Sequence, residues 1–270
     1  MTSPAELAAP IAPLRTANTR WRQHKWGLIR LASPIVLIAL WQLGSAVGII
    51  SQDVLPAPSL IFEAGVELVR NGQLADALRV SGIRVVEGLL LGGFAGIALG
   101  TVVGLSPWAE ATIDPPVQMI RALPHLGLIP LFIIWFGIGE LPKVLLVALG
   151  VSVPLYLNTF SAIRQVDPKL FETAHILGFS FWQRFRTIIV PSAAPQVLVG
   201  VRQSLAIAWL TLIVAEQINA DKGIGFLINN ARDFLRIDII IFGLTVYALL
   251  GIGTDAIVRA AERRALRYRS

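Results

Sequence analysis

The sequence predicts an all-α integral membrane protein with about six transmembrane helices. Three observations predict it: 55% of the 270 residues are hydrophobic while only 15% are charged; the mean hydropathy is +0.69; and apolar runs of about 20 residues recur along the chain, each long enough at ~1.5 Å per residue to cross a ~30 Å hydrocarbon layer. A soluble domain carries about 25% charged residues. To be soluble, this chain would have to bury every long run on all sides.

Residues 1–27 are rich in Pro, Ala and Arg and hold no apolar segment, so they read as a disordered cytoplasmic tail. The first apolar run begins near Leu31, too late and too long for a cleaved leader. Six spans follow from the hydropathy: 31–50, 83–105, 117–138, 143–162, 195–216 and 238–258. The third is the weakest, because Arg121, Pro124 and His125 interrupt it. The second carries Gly88, Gly92, Gly96, Gly100 and Gly104, one small residue per turn. In a bilayer that spacing lets helices approach closely; a glycine-lined path is the weaker alternative. Ser59 is a candidate N-cap for an amphipathic segment after the first span, and residues 217–237 offer a second interfacial segment.

Fifteen basic residues fall on the side of the N-terminus: Arg15, Arg20, Arg22, Lys25, Arg30, Arg121, Arg164, Lys169, Arg184, Arg186 and five from Arg259 to Arg269. Seven fall on the other side: Arg70, Arg79, Arg84, Lys143, Lys222, Arg232 and Arg236. This bias predicts both termini inside, and it accounts for the net charge of +6 without a nucleic-acid partner.

No cysteine is present, and His24, His125 and His175 are scattered, so neither disulfides nor a metal site is expected. There is no G-x-x-x-x-G-K-S/T phosphate loop. The G-x-G doublets at Gly137, Gly223 and Gly251 lack the third glycine of a dinucleotide site and read as helix ends and turns. Nothing here is a catalyst; the expectation is a transport subunit with no cofactor of its own.

The most informative stretch is 165–191, a polar loop between the fourth and fifth spans. Asp167 and Pro168 start a short helix, Glu172 lies in its early turns, and Gly178 stands where positive φ would stop it. A second helix then runs to Val190, with Pro191 and Pro195 at the start of the next span. Glu172, Ala174, Gly178, Ile188 and Pro191 occupy relative positions 1, 3, 7, 17 and 20. That spacing resembles the EAA loop through which ABC importer permeases engage their ATPase subunits. Thr173 stands where the family has a second Ala, and Val190 where it has Leu. An ordinary helical hairpin would not need five positions at fixed spacing.

The resemblance extends through Leu55-Pro56-Ala57-Pro58, Arg121-Ala122-Leu123-Pro124, IPLFIIWFGIGE at 129–140, YLNT at 156–159, VDPKL at 166–170, VAE at 214–216 and GIG at 223–225. Over residues 50–269 the chain is similar to the permease subunits of the aliphatic sulfonate, taurine and nitrate branch of ABC importers, most of all to sulfonate permeases. The resemblance implies a type I importer architecture in a bacterial inner membrane. It also implies a homodimer of this chain, two cytoplasmic ATPase subunits that bind the ATP, and an extracytoplasmic substrate-binding protein. Coupling would rest on Glu172, Thr173, Ala174, Gly178, Ile188 and Pro191.

Among intramembrane charges, Arg84 and Glu87 are three apart and read as a local ion pair. Glu216 ends the fifth span as either a gating or a solvated residue. Arg202, about two turns inside that span, is a candidate to attract an anionic head group, against the plainer reading that it snorkels to the interface. The rivals from other classes are a secondary transporter, which would need no ATPase, and a receptor subunit without flux. The absence of an internal repeat weighs against the former.

Overall fold

The structure is a computed structural model that describes residues 19–265. Most of the stretch read as a tail lies outside the described residues, but helix α1 (Thr19–Ala46) begins inside it. The chain forms two compact units, divided after Ser59.

In the first unit the apolar part of α1 covers Ala32–Ala46. The predicted span thus ends at Ala46, not at Ile50. Gly48 adopts φ 79°, and the N–H groups of Gly48 and Ile49 turn back to the carbonyls of Ser45 and Gly44 at 3.3 and 3.0 Å, a Schellman stop. Helix α2 (Pro58–Arg70) starts on a proline, the favoured first position. Ser59 is therefore not its cap; it lies in the first turn, its N–H donating to Gln42 Oε1 at 3.1 Å.

The second unit contains the rest of α2 from Leu60, then α3 (Gln73–Leu105), α4 (Pro107–Ala122), α5 (Ile129–Phe136), α6 (Glu140–Arg164), α7 (Pro168–Ile176), α8 (Phe181–Arg184), α9 (Val190–Asn219), α10 (Ile224–Asp233) and α11 (Ile237–Ala265). Among the described residues, four helices are long and apolar enough to cross a membrane: Gln73–Leu105, Glu140–Arg164, Phe181–Ile218 and Ile237–Arg264. The predicted third span is a broken one. Helices α4 and α5, joined by a 3-10 turn at His125–Leu128, are bent by 85°. Leu123 is extended (ψ 138°), as the residue before a proline prefers, and so α4 stops there. Counting the bent pair as one gives five among the described residues, and the apolar part of α1, Ala32–Ala46, stands beside them as the first of the six predicted spans.

Helices α3 and α6 meet backbone to backbone. A Cβ on Gly92 would lie 2.1 Å from the Ala148 carbonyl oxygen, one on Gly96 2.4 Å from that of Ser152, and one on Gly100 2.7 Å from that of Tyr156. The glycines advance four residues at a time and so do their partners, so the packing reading of the glycine stripe holds. On its other side α6 meets α9 through polar groups: Ser204 Oγ donates to the Val151 carbonyl at 2.8 Å, Asn158 Nδ2 to Gln203 Oε1 at 2.9 Å, and Gln196 Nε2 to Asn158 Oδ1 at 2.7 Å. With no water in the hydrocarbon layer, such groups need protein partners.

Because the obstacle at Gly92 is a main-chain carbonyl, no rotamer change relieves it. We expect Gly92→Val to cost ~3 kcal/mol or more, the upper range for overpacking. Gly82→Ala, with open space around it, should be close to neutral. Thermal unfolding of the detergent-solubilised protein checks both.

Candidate functional site

Two regions concentrate the sequence-predicted residues, one at each end of the bundle. At the first, α7 projects from α6. Asp167 accepts from the Lys169 N–H at 2.9 Å as N-cap. At the far end Gly178 adopts φ 69°, its N–H donating to His175 and that of Phe179 to Ala174, at 3.0 and 2.9 Å, a complete Schellman motif. Ser180 and Gln183 form a reciprocal capping box for α8.

The residues of the spaced motif fall into two roles. Ala174 is buried at 1% exposure, while Glu172, Thr173, Gly178 and Pro191 are exposed and Ile188 is half-buried. Phe171 and Phe185 pack on a small core of Ala162, Ile163, Ile189 and Ala193. This core fixes the corner and leaves Leu170, Ile176, Leu177, Phe181 and Trp182 exposed. A π-helical turn, Phe185–Ile189, joins α8 to α9 without interruption. The second loop helix and the fifth span are therefore one rod, Phe181–Ile218, not two helices parted at Pro191. Pro191 lacks the N–H that would close an ordinary turn onto Thr187, and the widened turn accommodates that gap.

At the opposite end lies a buried charge cluster. Glu216 has 0% exposure and Arg84 3%. Arg84 Nη1 donates to Glu216 Oε1 at 2.6 Å and to the Lys222 carbonyl at 2.7 Å, and its Nε and Nη2 take Glu140 at 2.5 and 2.6 Å. Ser81 Oγ lies 2.8 and 2.9 Å from the two Glu216 oxygens. The Gly225 N–H and the Tyr247 hydroxyl complete the Glu216 shell at 2.8 and 3.0 Å.

This arrangement corrects three expectations. Arg84 pairs with Glu140 and Glu216, not with Glu87; its partners are distant in sequence, so i,i+3 spacing could not reveal them. Glu216 is not solvated. And the glycines of 223–225 are more than a turn: a Cβ on Gly223 would fall 2.4 Å from Glu216 Oε1, and one on Gly225 2.5 Å from Glu216 Cβ. The loop closes around the carboxylate. Gly137 and Gly139, with φ 78° and 158°, do form the corner before α6, whereas Gly251 lies inside α11.

Arg202 faces Asp255 and Glu262 at 3.8 and 4.0 Å, so carboxylates already answer its charge and the structure does not leave it free for an anion.

Residues 88–267 match the family of binding-protein-dependent transport system inner membrane components. The chain is 43% identical to the aliphatic sulfonates transport permease protein SsuC of Bacillus subtilis (strain 168), over 89% of this chain and 87% of that one. To the SsuC protein of Escherichia coli (strain K12) it is 44% identical, over 90% and 94%. The taurine transport system permease protein TauC of E. coli is 31% identical, over 93% of each chain. In fold it is similar to an amino acid ABC transporter solved with histidines (TM-score 0.59, 17% identity, 74% of this chain and 97% of that one). It is also similar to the inward-facing MetNI methionine ABC transporter (TM-score 0.53, 18% identity, 70% and 95%). The chain belongs to the family of inner membrane permease components of binding-protein-dependent ABC importers.

Removing one member of the buried pair should cost ~3–5 kcal/mol, because it strands the other charge away from water. We expect Arg84→Met to lower the unfolding midpoint more than the double variant Arg84→Met/Glu216→Leu does. A double-mutant cycle measured by thermal unfolding reads the coupling.

Proposed function

We propose that this chain carries aliphatic sulfonates across the bacterial inner membrane as the transmembrane part of an ATP-driven importer. The single observation that carries the substrate class is 43–44% identity to two SsuC permeases across about nine-tenths of the chain. The weaker identity of 31% to TauC makes taurine the second reading.

Coupling rests on α7. Its two ends are capped, its buried face is anchored through Phe171 and Ala174, and its exposed face offers Leu170, Ile176 and Leu177. Those are the attributes of a rigid plug for a groove on an ATPase subunit, with Glu172 and Thr173 beside it. Because α8 and α9 form one rod, displacement of this corner would pass straight into the span that carries Glu216. ATP drives such a cycle only if it favours one of the two states over the other.

The loop end is then cytoplasmic, and the Arg84–Glu216 end faces the substrate-binding protein. The basic-residue bias supports this orientation, and it persists once Arg84, Lys143 and Arg121, which do not lie in loops, are left out of the count. A homodimer remains a proposal drawn from the sequence resemblance. Native mass spectrometry of the assembled importer distinguishes two copies of this chain from one copy beside a different permease.

Growth of a strain deleted for this gene provides the test. Loss confined to aliphatic sulfonates as sulfur source, restored by the intact gene, supports the reading; loss on taurine alone changes the cargo, and unchanged growth and uptake on both refute it. Gly178→Val places a β-branched residue at φ 69°, at a cost of about 1–3 kcal/mol in local strain. We expect it to abolish complementation while the protein still accumulates in the membrane. Normal ATPase binding and normal uptake by that variant would sink the coupling role of α7.

A further inference from the structure

We propose that Arg121 and His125, at the break between α4 and α5, form the point inside the permease that recognises the sulfonate head group in passage. The inference rests on the sulfonate reading above and names the residues that would serve it.

Position comes first. Arg121 and His125 line a cavity of about 90 Å³ together with Gly150, Val153 and Pro154 of α6 and Ile207 of α9. Gly150 lies about 15 Å along α6 from Glu140 and about 20 Å from Arg164, at 1.5 Å per residue. The cavity is thus at mid-height of the bundle. Arg121, counted from sequence with the cytoplasmic loops, sits beside the middle of a span. Non-helical backbone and ionisable groups at that depth are tolerated where they are buried in protein or line a cavity, and they mark solute paths; here Arg121 and His125 are the ionisable members of an otherwise apolar lining. A cavity of this size receives a head group and leaves an alkyl tail outside it.

Charge comes second. Among the described residues no carboxylate lies within 4.0 Å of Arg121, in contrast to Arg84, Arg164, Arg202 and Arg236. Its recorded partner is neutral: Nη1 donates to Gln118 Oε1 at 3.2 Å. Gln118 is held the other way round by Asp114, whose Oδ1 accepts from Gln118 Nε2 at 3.1 Å and from the buried Tyr156 hydroxyl at 2.6 Å. Asp114 is thereby occupied two turns away. The relay from Tyr156 aims the Gln118 carbonyl at the guanidinium without neutralising it. A guanidinium held in this way presents its remaining N–H groups as a planar fork, which suits an oxyanion.

The histidine supplies the second wall. His125 Nε2 lies 3.2 Å from the Thr211 hydroxyl, which fixes the ring and leaves Nδ1 for another partner. Gly150 allows this approach: a Cβ there would come within 3.1 Å of Thr211 Oγ1 and 3.7 Å of His125 Cδ2.

The test is ATP-dependent uptake of radiolabelled butanesulfonate into proteoliposomes that hold the complete importer, with the substrate-binding protein supplied outside. That protein captures the solute, so a site in the permease acts on the maximal rate and leaves KM in place. Arg121→Gln should lower the maximal rate roughly tenfold or more, the scale of a lost charge-assisted hydrogen bond. Arg121→Lys should recover part of it. Gln118→Leu, which keeps the charge but removes its orienting carbonyl, should fall between. If Arg121→Gln does not assemble with its partners, the other two variants decide. Wild-type rates in whichever of these variants assemble overturn the inference and leave the sulfonate reading standing, while wild-type importer that moves taurine but no butanesulfonate overturns both.

Discussion

The close contact of α3 with α6 is the constraint from which the bundle is built. A lipid solvent gives two apolar helices no hydrophobic reason to associate, so attraction must come from surface match and van der Waals contact. Removing side chains from one face of α3 brings its backbone against that of α6, and the contact continues for four turns in register. That contact frees the other faces of α6 for different work. One takes α9 through buried amides and hydroxyls, and another meets the broken third span. A protein that must change shape during transport thus has one pair of helices that cannot slide past each other.

Polar groups are placed by the same solvent. Glu216 accepts from Ser81, Arg84, Gly225 and Tyr247, drawing α3, α9, α10 and α11 to a single carboxylate. Arg84 reaches on to Glu140, which is 63% exposed. The cluster therefore runs from a fully enclosed oxygen to the surface. It holds α10 to the bundle end that the proposed orientation turns towards the binding protein.

Much of this was legible in sequence where the signal is local. The caps of α7, its glycine stop and its proline start are written within a few residues of one another, and each is found where the spacing puts it. The glycine stripe is equally local. Partnerships across the chain were not legible: Arg84 is 132 residues from Glu216, and the nearer Glu87 made a plausible decoy. The shapes of two spans were not legible either, for a related reason. Hydropathy averages over a window, so it cannot see that Pro124 turns one apolar stretch into two helices at 85°, or that Gly48 stops another early. The hint was present in Arg121-Ala122-Leu123-Pro124, a charge and a proline where an unbroken span would carry neither.

The π-helical turn at Phe185–Ile189 has a consequence for how the chain can vary. Each residue in an α-helix advances the side-chain direction by about 100°, and a π turn holds roughly one residue more than an α turn. The extra residue is therefore taken up within the turn, between the apolar face of α9 on one side and Phe181 and Trp182 on the other. A π turn winds only about 80° per residue, so loss of a single residue there would restore a regular helix and leave the corner in nearly the same phase as the rod. Such a turn lets the chain gain or lose one residue at this corner while the bundle and the facing of the corner stay the same.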